Sequence, residues 1–151
     1  MASIDVHPCA FNDLAASPNW GEICEEYRAW ASDGMPRPEL QLDMYATLEA
    51  AGIMRAIGAW QDGELAGYLI LLINRIPHYD RLVATTESLF VAAGKRSSGA
   101  GLAMIRLAER LAKEAGAAGL FVTAPMKGPL VRVLEGLGLV ESNRVFFRSF
   151  A

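Results

Sequence analysis

Apolar and polar positions change regime most clearly between Thr85 and Gly116. Thr85 to Val91 has strand length and is apolar toward its end. Ala92 to Ser98 is small and polar, the composition of a turn. Gly99 to Ala115 is a long amphipathic segment of helical period, and Gly116 stops it. A buried strand, a Gly- and Ser-rich turn and a helix are therefore expected in that order.

The flanking segments follow the same logic. Ala2 to Val6 alternates loosely, as an edge strand does, and Pro8 ends it. Asn12 to Asp33 is helical in its second half, where Trp20, Ile23, Cys24, Tyr27 and Trp30 share one stripe. Gly34, Pro36 and Pro38 break it. Pro38 then opens a second helix, Glu39 to Ala51, with Leu40, Met44, Leu48 and Ala51 as its stripe and Gly52 as its stop. Met54 to Trp60 and Leu65 to Asn74 flank Gln61-Asp62-Gly63-Glu64, an Asp-Gly hairpin signal. Tyr68 to Ile73 is apolar on both faces, which marks a central strand. Arg75 to Arg81 reads as a loop. After Gly119 come a short strand, Leu120 to Ala124, and a short helix, Pro129 to Leu137, stopped by Gly138. Leu139 to Glu141 and Val145 to Phe150 form a terminal pair of strands. No repeat, low-complexity tract or linker interrupts residues 1–151, so one α/β domain is expected.

Composition narrows the partners. Hydrophobic residues make up 52% and charged residues 21%, a globular balance. A net charge of −3 argues against a nucleic-acid partner, which is held by neutralising phosphates. The longest apolar run, around Leu69 to Ile73, is strand-sized, so no membrane span is expected. The N-terminus lacks a basic segment followed by an apolar one, and Cys9 and Cys24 have no framework spacing. Together these indicate free thiols in a cytoplasmic protein. His7 and His78 are the only histidines, which leaves no metal-ligand cluster.

The chemistry concentrates at the turn. Ser97, Ser98, Gly99, Ala100 and Gly101 stand at a helix entrance, where the first backbone N–H groups lack intrahelical partners and the dipole is positive. Small side chains there admit phosphates, and Lys95 and Arg96 add charge. Two known phosphate motifs fail. The dinucleotide fingerprint needs glycine where Met104 stands, and a P-loop places Gly-Lys-Ser/Thr at the end of its loop, whereas here Lys-Arg precedes the glycines.

Arg96-x-x-Gly99-x-Gly101, beginning five residues after Val91, resembles the acyl-CoA pyrophosphate motif of the GNAT superfamily of N-acyltransferases. The order β–α–α–β–β–β–α–β–α–β–β resembles that family too. Leu137-Gly138-Leu139 is similar to its helix-to-strand Leu-Gly-Phe turn. The resemblance covers about the last two-thirds of the chain, and the compactness is similar to small phage- or prophage-type or bacterial members. It implies a GNAT fold of α/β (α+β) class, a mixed, mostly antiparallel central sheet with helices on both faces. It also implies acetyl-CoA as cosubstrate and an amine of a small molecule or protein as acceptor. A homodimer is left open.

By that resemblance, Leu89, Phe90 and Val91 pair through backbone with the pantetheine arm, and the Val91 N–H donates to the thioester carbonyl. Arg96, Ser97, Ser98, Gly99, Ala100, Gly101 and Leu102 hold the pyrophosphate. Glu87 is the candidate base, four residues before Val91 and by alternation on the same face as Leu89 and Val91. An apolar setting raises a carboxyl pKa and suits it to take a proton near neutral pH. His78 and Tyr79, in the preceding loop, are the other catalytic candidates. His7 and Cys9, with Pro8 between them, are a coincidental pair. One position departs from the family: Leu134 stands where a Tyr often protonates the departing thiolate. Acyl-CoA binding is thus better supported than efficient transfer. A non-catalytic CoA-binding or interaction module is the alternative, and a dimeric scaffold with a vestigial cleft is the third reading. Glu22, Glu25, Glu26 and Asp33 either favour cationic acceptors or form a solvated helix face.

Overall fold

The computed structural model describes residues 2–31, 35–126 and 128–150; the expected helix breaker Gly34 and the acidic Asp33 lie outside them. Five strands form one sheet in sequential order: β1 (Asp5–Cys9), β2 (Met54–Gln61), β3 (Glu64–Ile76), β4 (Arg81–Val91) and β5 (Leu120–Phe121). The first four pair antiparallel and β5 joins β4 in parallel. Helices α1 (Phe11–Ala15), α2 (Trp20–Ala31) and α3 (Leu42–Ala50) cover one face. Helix α4 (Ala100–Glu114) covers the other, and α5 (Leu130–Gly136) follows β5.

The core therefore has two layers. Met104, Leu107, Ala108 and Ala112 of α4 pack on Ile57, Leu69, Leu71 and Ala84 of the sheet. Each large side chain buried there contributes about 1.5–3 kcal/mol. On the opposite face Tyr68, Ile70 and Phe90 meet Phe11, Leu14, Ile23 and Tyr45. The central strand β3 feeds both layers, as its unbroken apolar run predicts. At the β2–β3 hairpin Asp62 and Gly63 take φ values of 53° and 80°, the paired positive values of a two-residue turn.

Several boundaries move for identifiable reasons. The first strand runs through Pro8 instead of stopping at Val6. It is an edge strand paired only with β2, so the missing N–H costs no ladder bond there. The stretch after Asn12 is two helices, separated around Pro18. Helix α3 starts at Leu42, not at Glu39, and it buries Tyr45 while Met44 is 62% exposed. Strand β4 begins at Arg81, which shortens the expected loop to a tight turn, and residues 93–98 form a 3-10 helix. The largest departure is at the end. Residues 139–150 join no strand, and β5 stops at Phe121 instead of Ala124.

Candidate active site

One extra residue in β4 sets the geometry. Leu71 lies opposite Thr86 and Ile70 opposite Ser88, so Glu87 has no partner on β3 and the strand bulges there. Before the bulge, β4 offers its backbone to β5 at even positions: the Ala84 N–H donates to the Gly119 carbonyl at 3.0 Å, and the Leu82 carbonyl accepts from the Ala118 N–H at 2.8 Å. After it, the Ala92 N–H donates to the Ala66 carbonyl of β3 at 2.9 Å. Antiparallel alternation then turns Phe90 toward β3 and leaves Leu89 and Val91 facing away from it. The bulge has switched the outward set from even to odd.

Among the described residues no strand meets that outward edge. Strand β5 pairs only through Ala84–Leu120 and Thr85–Phe121, and the Thr123 N–H reaches the Thr86 Oγ1 at 3.1 Å as the last link. Beyond Thr86 the ladder to β5 ends, and this stretch of the β4 edge, termed the cleft, has no strand partner among the described residues. The main chain of Leu89 and Val91 lines it, and the Val91 carbonyl accepts the Arg96 Nε–H from the same side at 3.2 Å. Phe90 is different from its two neighbours: its backbone serves β3 and its side chain, 2% exposed, is packed in the α1–α3 layer.

At the end of this cleft stands the N-terminus of α4. Gly99 has φ 84°, a left-handed value that favours glycine, and it turns the 3-10 helix into α4. Arg96, Ser97, Ser98 and Gly99 are exposed, Ala100 is buried, and Gly101 and Leu102 are half-buried. The Ser98 Oγ takes the Ala100 N–H at 3.2 Å, whereas the next donors of the first turn have no partner within α4 itself. Lys95 is tied down, its Nζ donating to Gln61 Oε1 at 2.6 Å.

Glu87 lies on the opposite side from Leu89 and Val91, contrary to simple alternation. Its Oε1 accepts the Tyr45 hydroxyl at 2.8 Å, within the α1–α3 layer, while Leu89 and Val91 pack toward α4. Bulged neighbours share a face that a regular strand would divide between them. Glu87 is also exposed, so the burial invoked to tune it is absent. Around it sit Tyr45, Tyr27 and Tyr68. Burial, and secondarily the negative charge of Glu87, pushes the Tyr45 and Tyr27 hydroxyls above the usual phenol range. Tyr68 is pushed up first by burial, then by Tyr27. Tyr45 was not a sequence candidate. Its position one residue after Met44 on the expected stripe concealed it.

His78 and Tyr79 are not brought to this place. They occupy the β3–β4 turn, both exposed, with rings 4.9 Å apart beside the Arg75–Asp80 ion pair at 2.7 Å. Arg81 and Glu87 are six steps apart along the strand, about 20 Å at ~3.3 Å per residue. Leu134, 8% exposed, is a core residue of α5. Of the acidic group on α2, Glu25 pairs with Arg28 and Arg37, and Glu26 accepts the Ala93 N–H at 2.6 Å. These carboxylates are engaged in holding the fold. His7 stacks on Trp60 at 4.5 Å, and burial pushes the Cys9 thiol up to about 12, which makes it a poor nucleophile.

An apolar concavity of about 290 Å³, lined among others by Tyr79, Val83, Leu120 and Phe121, lies at the far end of β4 and is separate from the cleft. Among the described residues no group of three His, Cys, Asp or Glu is placed to hold a metal, and no helix is long and apolar enough to cross a membrane.

The acetyltransferase (GNAT) family model matches residues 20–138. No curated protein sequence matches the chain. Among solved structures, an aminoglycoside acetyltransferase from an uncultured soil metagenomic sample is similar with a TM-score of 0.74 and 21% identity, over 99% of each chain. A ribosomal-protein-alanine N-acetyltransferase from Brucella melitensis biovar Abortus 2308 is similar at 0.71 and 17%, over 98% of this chain and 99% of that one. An aminoglycoside N-acetyltransferase in complex with CoA is similar at 0.73 and 20%, over 100% and 97%.

Proposed function

The chain belongs to the GNAT acetyltransferase family, and from that premise we propose that it moves an acetyl group from acetyl-CoA to a primary amine of a small molecule or protein. The observation that carries this reading is the switch of outward backbone at the Glu87 bulge. It leaves Leu89 and Val91 facing a cleft that ends at the α4 N-terminus. Pantetheine pairs with Leu89 and Val91 there, and the pyrophosphate meets the Gly101 and Leu102 amides with Arg96, Ser97 and Ser98 at the rim.

The acceptor enters from the α1–α3 side, where Glu87 is exposed. Glu87, oriented by the Tyr45 hydroxyl, takes a proton from the ammonium, directly or through water. The freed amine attacks the thioester carbon while the Val91 N–H supports the oxyanion. The C–S bond then breaks, CoA leaves as thiolate, and the new amide nitrogen loses its second proton to water. With Leu134 at the family's acid position, that thiolate is protonated by solvent, which a thiol pKa of about 8.5 permits.

The amine acceptors named for similar structures, aminoglycosides and a ribosomal-protein alanine, support N-acetylation without choosing a substrate class. Cys9 and Cys24, both free, support a reducing, cytoplasmic setting. The second reading, a CoA-binding module without turnover, is favoured by Leu134 and by the distance of Tyr79 from the cleft. A panel of amines with acetyl-CoA, read by release of free CoA thiol, separates the two. Cys24 is buried and the Cys9 thiol stays protonated, so native thiols add little background. Thiol release that depends on one amine class is the expected result. Acetyl-CoA binding with no release for any amine supports the module.

A further inference from the structure

Helix α2 grips the end of β4 at two points. The Glu26 Oε1 accepts the Ala93 N–H at 2.6 Å, at the first residue of the 3-10 helix. One turn further along α2, the Trp30 ring lies 5.9 Å from that of Phe90. Glu26 and Trp30 are an i, i+4 pair and so project from one face of the helix. Between their partners on the strand, Phe90 and Ala93, stand Val91 and Ala92. The same junction is backed closely by β3. The Ala92 N–H donates to the Ala66 carbonyl at 2.9 Å. Gly67 lies opposite Val91, and a Cβ there would come 2.5 Å from the Phe90 carbonyl oxygen and 3.1 Å from the Val91 Cα.

We propose that Glu26 is the positioning residue for the Val91 N–H, the group assigned above to the thioester carbonyl. The inference rests on that assignment and adds to it. Val91 is the last residue of β4, so the contacts of its neighbours set its place. A donor to a developing oxyanion is effective when its position is fixed before the reaction begins. Phe90 is held by the rings of Tyr27 and Trp30, and Ala92 by Ala66. Ring packing lets a neighbour slide, whereas the bond from Ala93 to Glu26 is directional. It is also of the stronger, charge-assisted kind, and a carboxylate at a helix entrance suits the helix dipole. Arg96, Ser97 and Ser98 belong to the 3-10 helix that Ala93 opens, and Lys95 ties that helix to Gln61 at 2.6 Å. One side chain of α2 therefore keeps the pyrophosphate rim in register with the thioester donor. Glu26 acts through Ala93 and not on the substrate.

Glu26→Ala removes the acceptor of this bond, and Glu26→Gln keeps one. Ala93→Pro removes the donor instead, and the backbone allows it: Ala92, at φ −53° and ψ 140°, has the extended conformation wanted before proline. Amide NMR of the full chain is recorded with CoA and with acetyl-CoA, which differ by the acetyl group alone. The difference in the Val91 N–H shift between the two reads its contact with the thioester carbonyl, and no turnover is needed. That difference is expected in wild type and in Glu26→Gln, and is lost in Glu26→Ala and Ala93→Pro. Acetyl-CoA affinity falls about tenfold in the last two, the value of one charge-assisted hydrogen bond. Melting scans establish that every variant is measured folded. A Val91 difference and an affinity that survive in either Glu26→Ala or Ala93→Pro confine Glu26 to fold stability and overturn the proposal. A Glu26→Gln that behaves like Glu26→Ala overturns it too, because the hydrogen bond is then not what positions Val91. Wild type without an acetyl-dependent shift at Val91 overturns the assignment of Val91 itself, and this role with it, before any variant is compared.

Discussion

Glu87 owes its orientation to one residue too many. In a regular strand it would project beside Leu89 and Val91 and be covered by α4; the bulge instead turns it to Tyr45. A carboxylate that accepts a phenol hydrogen bond yet stays exposed can exchange protons with an arriving ammonium. Glu87→Gln is expected to leave acetyl-CoA affinity unchanged, since in the proposed binding mode the cosubstrate pairs with backbone, and to lower turnover about 10²–10⁴-fold at neutral pH. The deficit shrinks as pH rises and the amine arrives deprotonated. Tyr45→Phe removes only the orienting bond, so kcat falls less and the KM for acetyl-CoA holds. Rate against pH for the three proteins decides the matter. A Glu87→Gln rate within a few-fold of wild type throughout would remove Glu87 from the chemistry.

Among the elements, the 3-10 helix, Gly99 and the first turn of α4 form the proposed anion-binding entrance, and its two glycines are not equivalent. A Cβ on Gly101 would lie 3.6 Å from Val91 Cγ2, an ordinary contact, whereas Gly99 holds φ at +84°. Gly101→Asp is therefore expected to melt near wild type and lose CoA binding, because a carboxylate faces the pyrophosphate. Gly99→Asp loses binding too, and also about 1–2 kcal/mol of stability for its left-handed backbone. Calorimetric titration with CoA and melting scans check both; undiminished affinity in folded Gly101→Asp would place the phosphates elsewhere. These elements were legible in the sequence because they depend on local signals: the Asp62-Gly63 turn, the α4 period and small residues at a helix entrance. The bulge was not, since alternation assumes one residue per partner and cannot register an extra one. Pro8 misled for a related reason, as only the sheet order reveals that its strand is at the edge. The terminal strands expected at Leu139 to Glu141 and Val145 to Phe150 join no sheet among the described residues, since strand character in a short segment does not by itself supply a ladder. Tyr45 was hidden by a helix start placed three residues early.

In the whole molecule, the sheet separates the two halves of the proposed site. The α4 layer brings the positive helix end to the cleft, and on the α1–α3 side Glu87 of β4 meets Tyr45 while the rings of Tyr27 and Trp30 pack on Phe90. They meet only where β4 bulges and β5 stops pairing, so that is where thioester and amine can approach. His78 and Tyr79, at the opposite end of β4, lie outside it. The direct test is a backbone-amide NMR titration with acetyl-CoA. The account predicts the largest shifts at Leu89, Val91, Gly99, Gly101 and Leu102, small ones at residues 77–80, and no comparable pattern with ATP. Shifts centred on the Tyr79–Phe121 concavity, or the same pattern with ATP, would contradict it.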